Sequence, residues 1–244
     1  MRMAFIFLIL APFITTYISA EEAKSIDSRL EALEKVKISG SFRMNYSYRD
    51  FNEGQRDREG DFDTNVVTLG VDTEASGIRF SAQYRWYNYM DTVHHMYIAM
   101  KPDDTSEIQI GVMKVPFGIL PYESNNYWFG IPYYLGLNDD YDSGIKYATT
   151  HGQWNLQAAF YVGTEYSGSN TKRYSIDVIN DGANSTNEET NQLNFRATYS
   201  LPHGEFGIST QYGQLYNNTT KKDGDHWAAA LHHKATYGKI HTQF

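Results

Sequence analysis

The chain contains no cysteine, only 6 prolines, and fewer basic than acidic side chains, 21 against 29. Each shortage excludes something. Without disulfides, an exported chain must draw its stability from burial and closure, which small secreted scaffolds rarely manage and large barrels do. A formal charge of −8 argues against a nucleic-acid partner, because binding phosphates requires a basic surface. Beyond the first twenty residues no apolar stretch reaches about 18 residues, so no transmembrane helix is available. Strands remain as a means of crossing a membrane, since a barrel carries its lipid face on alternate residues and window hydropathy averages that signal away.

Several catalytic and repeat signatures are missing too. Nothing resembles G-x-S-x-G, and no repeat of roughly 40 residues marks a propeller or a solenoid. The acidic stretch "DREGDFD" misses the calcium-loop spacing and reads as a solvated loop. His94, His95, His232 and His233 come as adjacent pairs. Neighbours on a strand point to opposite faces, so neither pair is expected to form the same-face dyad of a nucleophilic enzyme, and both read as wall residues rather than metal ligands.

What is plentiful is aromatic and small: 20 Tyr, 13 Phe, 4 Trp and 19 Gly, with mean hydropathy still negative. That balance suits strands apolar on one side only. "MRMAFIFLILAPFITTYISA" has an early positive charge at Arg2, an apolar run and a small-residue end, the three parts of a secretory signal peptide, so residues 1–20 are set aside with cleavage expected before Glu21. Residues 21–35 place Ile26, Leu30 and Leu33 at helical spacing amid alternating charge, which reads as a short amphipathic periplasmic helix or a linker.

From Val36 the period changes to two. In "WNLQAAFYVG", Trp154, Leu156, Ala158, Phe160 and Val162 share one face, and Asn155, Gln157, Ala159, Tyr161 and Gly163 the other. The same alternation predicts ten strands near 36–51, 64–74, 78–89, 93–101, 106–117, 143–150, 154–166, 191–201, 206–217 and 226–237, with an eleventh beginning at Lys239. Strands 4 and 9 alternate less cleanly than the rest. Tight turns follow the even-numbered strands, and longer polar stretches follow strands 1, 5, 7 and 9. A soluble sandwich has no reason to sort its turns by parity, whereas outer-membrane barrels keep short periplasmic turns and long outer loops. The fold expected is all-β: a transmembrane antiparallel up-and-down β-barrel over 36–244. At this strand spacing a barrel of about sixteen strands takes roughly 340 residues, so an incomplete chain is expected.

The longest connection, 119–142, is crowded with aromatic side chains, including Tyr127 and Trp128, too much apolar area for a loop in solvent. The reading is that it folds into the lumen as a constriction, bringing Glu123, Asp139, Asp140 and Asp142 opposite Arg43, Arg79, Arg85, Lys146 and Arg196 on lumen-phase positions. Facing rows of opposite charge are how pores select ions.

At this loop a family likeness emerges. "IQIGVMKVPFGILPYESNNYWF" followed by "DSGIKY" resembles the Gram-negative outer-membrane porins, particularly the phosphate-selective porin O and P family, with Gly111, Lys114, Pro116, Phe117 and Gly118 matching its motif. The resemblance implies a usually trimeric diffusion pore for small hydrophilic solutes, set among outer-membrane lipid and lipopolysaccharide, with no cofactor. It does not establish phosphate as the substrate, because this loop has several acids and no basic residue. Lys114 shares its phase with Ile108, Ile110 and Val112, which points it toward the lipid interface, where a lysine can snorkel. The competing readings are a secreted carbohydrate-binding β-sandwich and an outer-membrane barrel enzyme.

Overall fold

Alternating residues with a β-branched or aromatic apolar side make stable half-buried strands, and here they do so eleven times. The computed structural model describes residues 34–120, 131–164 and 187–244; the expected leader and nearly all of the expected helix or linker over 21–35 lie outside them. The strands are β1 Lys37–Ser47, β2 Asp61–Ala75, β3 Ile78–Tyr87, β4 Asp91–Asp103, β5 Ser106–Lys114, β6 Tyr141–His151, β7 Trp154–Thr164, β8 Asn187–Leu201, β9 Gly204–Asn217, β10 Lys222–Tyr237 and β11 Ile240–Gln243. They pair in chain order as one eleven-stranded sheet, every pair antiparallel. One uninterrupted meander is an up-and-down architecture, not two packed sheets. β1 and β11 are its edges, so the sheet is not closed among the described residues.

The connections after β2, β4, β6, β8 and β10 are all two residues long, as the spans show. Ser76 and Gly77 both have positive φ, 54° and 74°, the primed turn whose twist matches the flanking strands. At the other ends lie 48–60, 88–90, 115–140 and 218–221. In the first of these, Asn52 caps the short helix α1, Glu53–Asp57, by accepting from the Gln55 backbone N–H at 3.0 Å. The long connection expected after the ninth strand is not found: pairing with β9 carries β10 back to Lys222, which leaves residues 218–221 as a tight turn.

Burial is inverted relative to a soluble sheet. Phe195 is 45 % and Leu231 67 % exposed, whereas Arg196 is 3 % exposed, and Gln192, Asn194, Ser209 and Gln211 are buried with it. β9, ambiguous in sequence, alternates cleanly: Phe206, Ile208 and Tyr212 face outward, Ser209 and Gln211 inward. One face is thus apolar and open, and the other is polar and covered.

A second pattern keeps the polar face flat. Tyr97, Tyr161, His226 and His232 stand directly opposite Gly111, Gly144, Gly213 and Gly207, and a Cβ at any of these glycines would run into its partner residue. The absent side chain makes room for the ring. Gly144→Ala would collide with the Phe160 carbonyl as well as with Tyr161. It is expected to destabilise the sheet by about 1–3 kcal/mol, read as a lowered urea midpoint in lipid vesicles.

Candidate functional site

β5 ends at Lys114, three residues before the expected 117, because the backbone there has other partners. The Val115 N–H donates to Asp140 O at 2.9 Å, Pro116 has no N–H, and the Phe117 N–H donates to Val115 O at 3.0 Å. The chain therefore leaves the sheet and passes over its polar face. Val115 and Phe117 are buried in a cluster with Met113, Ala159 and Tyr161, against partly buried Tyr97, Leu137, Ala228 and Ala230. Gly118 then meets strands far along the sheet: its N–H donates to Ser209 Oγ at 3.0 Å, and its carbonyl accepts from Arg196 Nε at 2.8 Å. Lys234 Nζ reaches Leu120 O at 3.5 Å. Gly118 has a φ of +64°, a left-handed conformation that glycine adopts without strain.

Glu123, Tyr127 and Trp128 fall outside the described residues. The returning limb begins with the short helix α2, Ile131–Tyr134, and a bend in which Leu137 N–H donates to Pro132 O at 2.9 Å. Burial pushes the Tyr133 phenol well above its ordinary range, with the nearby Asp139 charge adding to the effect, so it stays protonated. Asn138 comes back beside Gly118: a Cβ there would lie 3.5 Å from Asn138 Nδ2. Asp142, expected in this loop, is the second residue of β6, because Tyr141 and Asp142 pair with Lys114 and Met113.

Lys114 does not snorkel to the lipid side. Its side chain is 15 % exposed, its Nζ donates to Asp139 Oδ1 at 2.6 Å and sits 4.9 Å from the Tyr141 ring centre. Strand phase failed here because Lys114 is the last residue of β5 and its long stem turns toward the returning limb. The Lys114 carbonyl in turn accepts from Lys146 Nζ at 2.9 Å and from Tyr161 Oη at 3.1 Å. Lys114, Lys146 and Asp139 thus converge at the root of the segment.

The acids expected to line an aperture are largely enclosed. Asp140 is 1 % exposed, and Asp139 and Asp142 are buried as well. Asp140 Oδ1 accepts from the Tyr141 N–H at 2.9 Å, and Asp142 Oδ2 from Gln192 Nε2 at 3.2 Å. Carboxylate oxygens of Asp140, Asp142 and Glu189 lie within 4.8 Å of one another, the donor type a hard cation takes. The other basic residues of the expected row bond side chains of the wall. Arg43 Nε donates to Asn65 Oδ1 at 2.7 Å, Arg79 Nη2 is 3.3 Å from Glu107 Oε1, and Arg85 Nε donates to Gln83 Oε1 at 2.6 Å. Of the row, Lys146 bonds the root of the inward segment and Arg196 bonds Gly118 within it.

The histidine reading needs correction. In the β3–β4 pairing His95 faces Gln83 and Val93 faces Tyr84, so His94 is an extra, bulged residue. A bulge re-aims its side chain, and the two Nδ1 atoms come within 2.9 Å of each other. His232 and His233 do part: His232 Nε2 lies 3.2 Å from Glu205 Oε1, while His233 stacks on Phe244. Sequence reasoning also missed Ser209 and Glu205. Both lie on one of the two strands whose alternation is less clean, and nothing local marks them.

No curated protein matches the chain. Among solved structures it is similar to the outer membrane channel DcaP of Acinetobacter baumannii, at 10 % identity over 84 % of this chain, with a TM-score of 0.49. The chain spans 61 % of that channel's length. It is similar also to a loop-deletion variant of OmpT, an outer membrane protein of Vibrio cholerae, at 10 % identity, TM-score 0.38, over 84 % of this chain and 78 % of that one. The fold stands on the strand pairing itself. A family model described as Gram-negative porin matches residues 10–242, nearly the whole length. With one continuous up-and-down sheet, an apolar open face and a polar covered one, the chain belongs to the Gram-negative porin family.

Proposed function

We propose that the protein forms a water-filled pore in the outer membrane, through which small hydrophilic solutes or ions diffuse passively, and that the inward segment after β5 sets its selectivity. The observation that carries this reading is the crossing of the polar face at Gly118, bonded to side chains 78 and 91 residues away. A segment held there occupies cross-section that the lumen would otherwise have. The apolar face then meets lipid, the two-residue turns face the periplasm, and the longer connections face outward. No step of this function needs a nucleophile, a metal or a cofactor, so the reading is of a channel rather than an enzyme. Association as a homotrimer, contact with lipopolysaccharide and export by a cleaved leader belong to the same proposal.

The enclosed acids give the selectivity a sign. Buried charge is screened less than surface charge, so Asp139, Asp140 and Asp142, with Glu123, favour cations near the aperture. Their partners temper the effect, Lys114 above all. Neutralising Glu123, Asp139 and Asp140 together is expected to move the single-channel reversal potential in a salt gradient away from cations. A potential that stays put would remove these acids from the selectivity mechanism.

A further inference from the structure

Arg196 is costly where it is. On a lumen wall an arginine can keep its head in water, yet this side chain is only 4 % exposed. Its Nε is committed to the Gly118 carbonyl at 2.8 Å, and its Nη2 to Glu205 Oε1 at 2.9 Å. Glu205 Oε1 is shared with His232 Nε2 at 3.2 Å, and the His232 ring lies across Gly207, where a Cβ would strike it. The glycine lets the imidazole lie flat, the imidazole and the carboxylate fix the guanidinium, and the guanidinium holds a backbone carbonyl of the crossing segment. From the other side, fully buried Ser209 takes the N–H of the same residue. Charge-assisted bonds of this kind are the stronger and more directional ones.

We propose that Gly118 is the fixed point of the aperture, and that Arg196 and Ser209, with Glu205 and His232 behind Arg196, are positioning residues that set how far the segment narrows the bore. Its functional consequence rests on the pore reading above. The selectivity row expected from sequence put Arg196 in the aperture as a charge facing the solute; here its role is mechanical. The width of the aperture thus depends on side chains of β8 and β9 that no solute touches.

The test uses the full chain with Ser209→Ala, Arg196→Met and the two combined, and Thr210→Ala on the outward face of β9 as control. In planar bilayers the double variant is expected to raise single-channel conductance by about twofold and to weaken ion selectivity, with Ser209→Ala intermediate and Thr210→Ala unchanged. Heat-modifiable mobility on gels shows that each variant is folded. Unaltered conductance and selectivity in the folded double variant would overturn the proposal. A second measurement does not depend on conduction. The chain has no cysteine, so Ile119→Cys introduces a single thiol at a buried position. Its maleimide labelling is expected to speed up by at least about tenfold when the pin is removed. Equal labelling with and without the pin defeats the tether, even if no channel is seen; an Ile119→Cys chain that labels as expected, in a protein that never conducts, defeats the pore reading alone. If the double variant does not fold, Ser209→Ala decides by the same two readouts.

Discussion

Leu193→Arg is expected to lower the unfolding free energy in lipid vesicles by about 2–4 kcal/mol, while Leu201→Arg on the same strand costs only about 0–1 kcal/mol. Leu193 lies near the middle of β8 and Leu201 at its end beside a two-residue turn, and both are exposed on the apolar face. In water, an arginine at an exposed position costs little anywhere along a strand. In hydrocarbon the cost depends on depth, because a charge near the end of a strand reaches the headgroups and one at the centre does not. The two substitutions therefore separate a lipid-facing sheet from a soluble one on a single strand. Equal, small losses measured by urea titration at both positions would mean that this face does not meet acyl chains.

Lys114→Met is the second large effect, at about 3 kcal/mol, because removing one member of a buried ion pair leaves the other charge without that compensation. The pair is close and its acid nearly sealed: Lys114 Nζ to Asp139 Oδ1 is 2.6 Å, and the Asp139 side chain is 2 % exposed. Adding Asp139→Asn to Lys114→Met is expected to recover most of the loss, since the charge that Lys114 faced goes with it. Asn is the suitable replacement, because residue 139 has a φ of +58° and asparagine tolerates the left-handed region better than most side chains. The measurement is denaturant unfolding of the two variants beside the parent chain. A lysine snorkelling at a lipid interface would give a loss under about 1 kcal/mol for Lys114→Met and no recovery in the double variant.

The wall was legible for a simple reason. A strand that separates two environments writes that fact at every second residue, as Leu193 and Phe195 against Gln192, Asn194 and Arg196 do on β8. Where the pattern broke, register was the cause. One inserted residue at His94 turned two neighbours to the same side, and no local rule of alternation contains that information. Burial was not legible either: Asp139, Asp140 and Asp142 lie beside the crossing segment but are enclosed rather than presented to solvent.

By itself, the sequence determined that the chain is a meander of half-apolar strands with brief turns at one end, because periodicity and turn chemistry act between near neighbours. Tertiary structure alone decided that Lys114 turns inward to Asp139, that Glu205 and His232 stand behind Arg196, and that Ser209 meets Gly118 across the polar face. All but the Arg196–Glu205 pair join residues 25 to 91 positions apart, and pairing over such distances is set by the register of every intervening strand, which no short stretch of chain encodes.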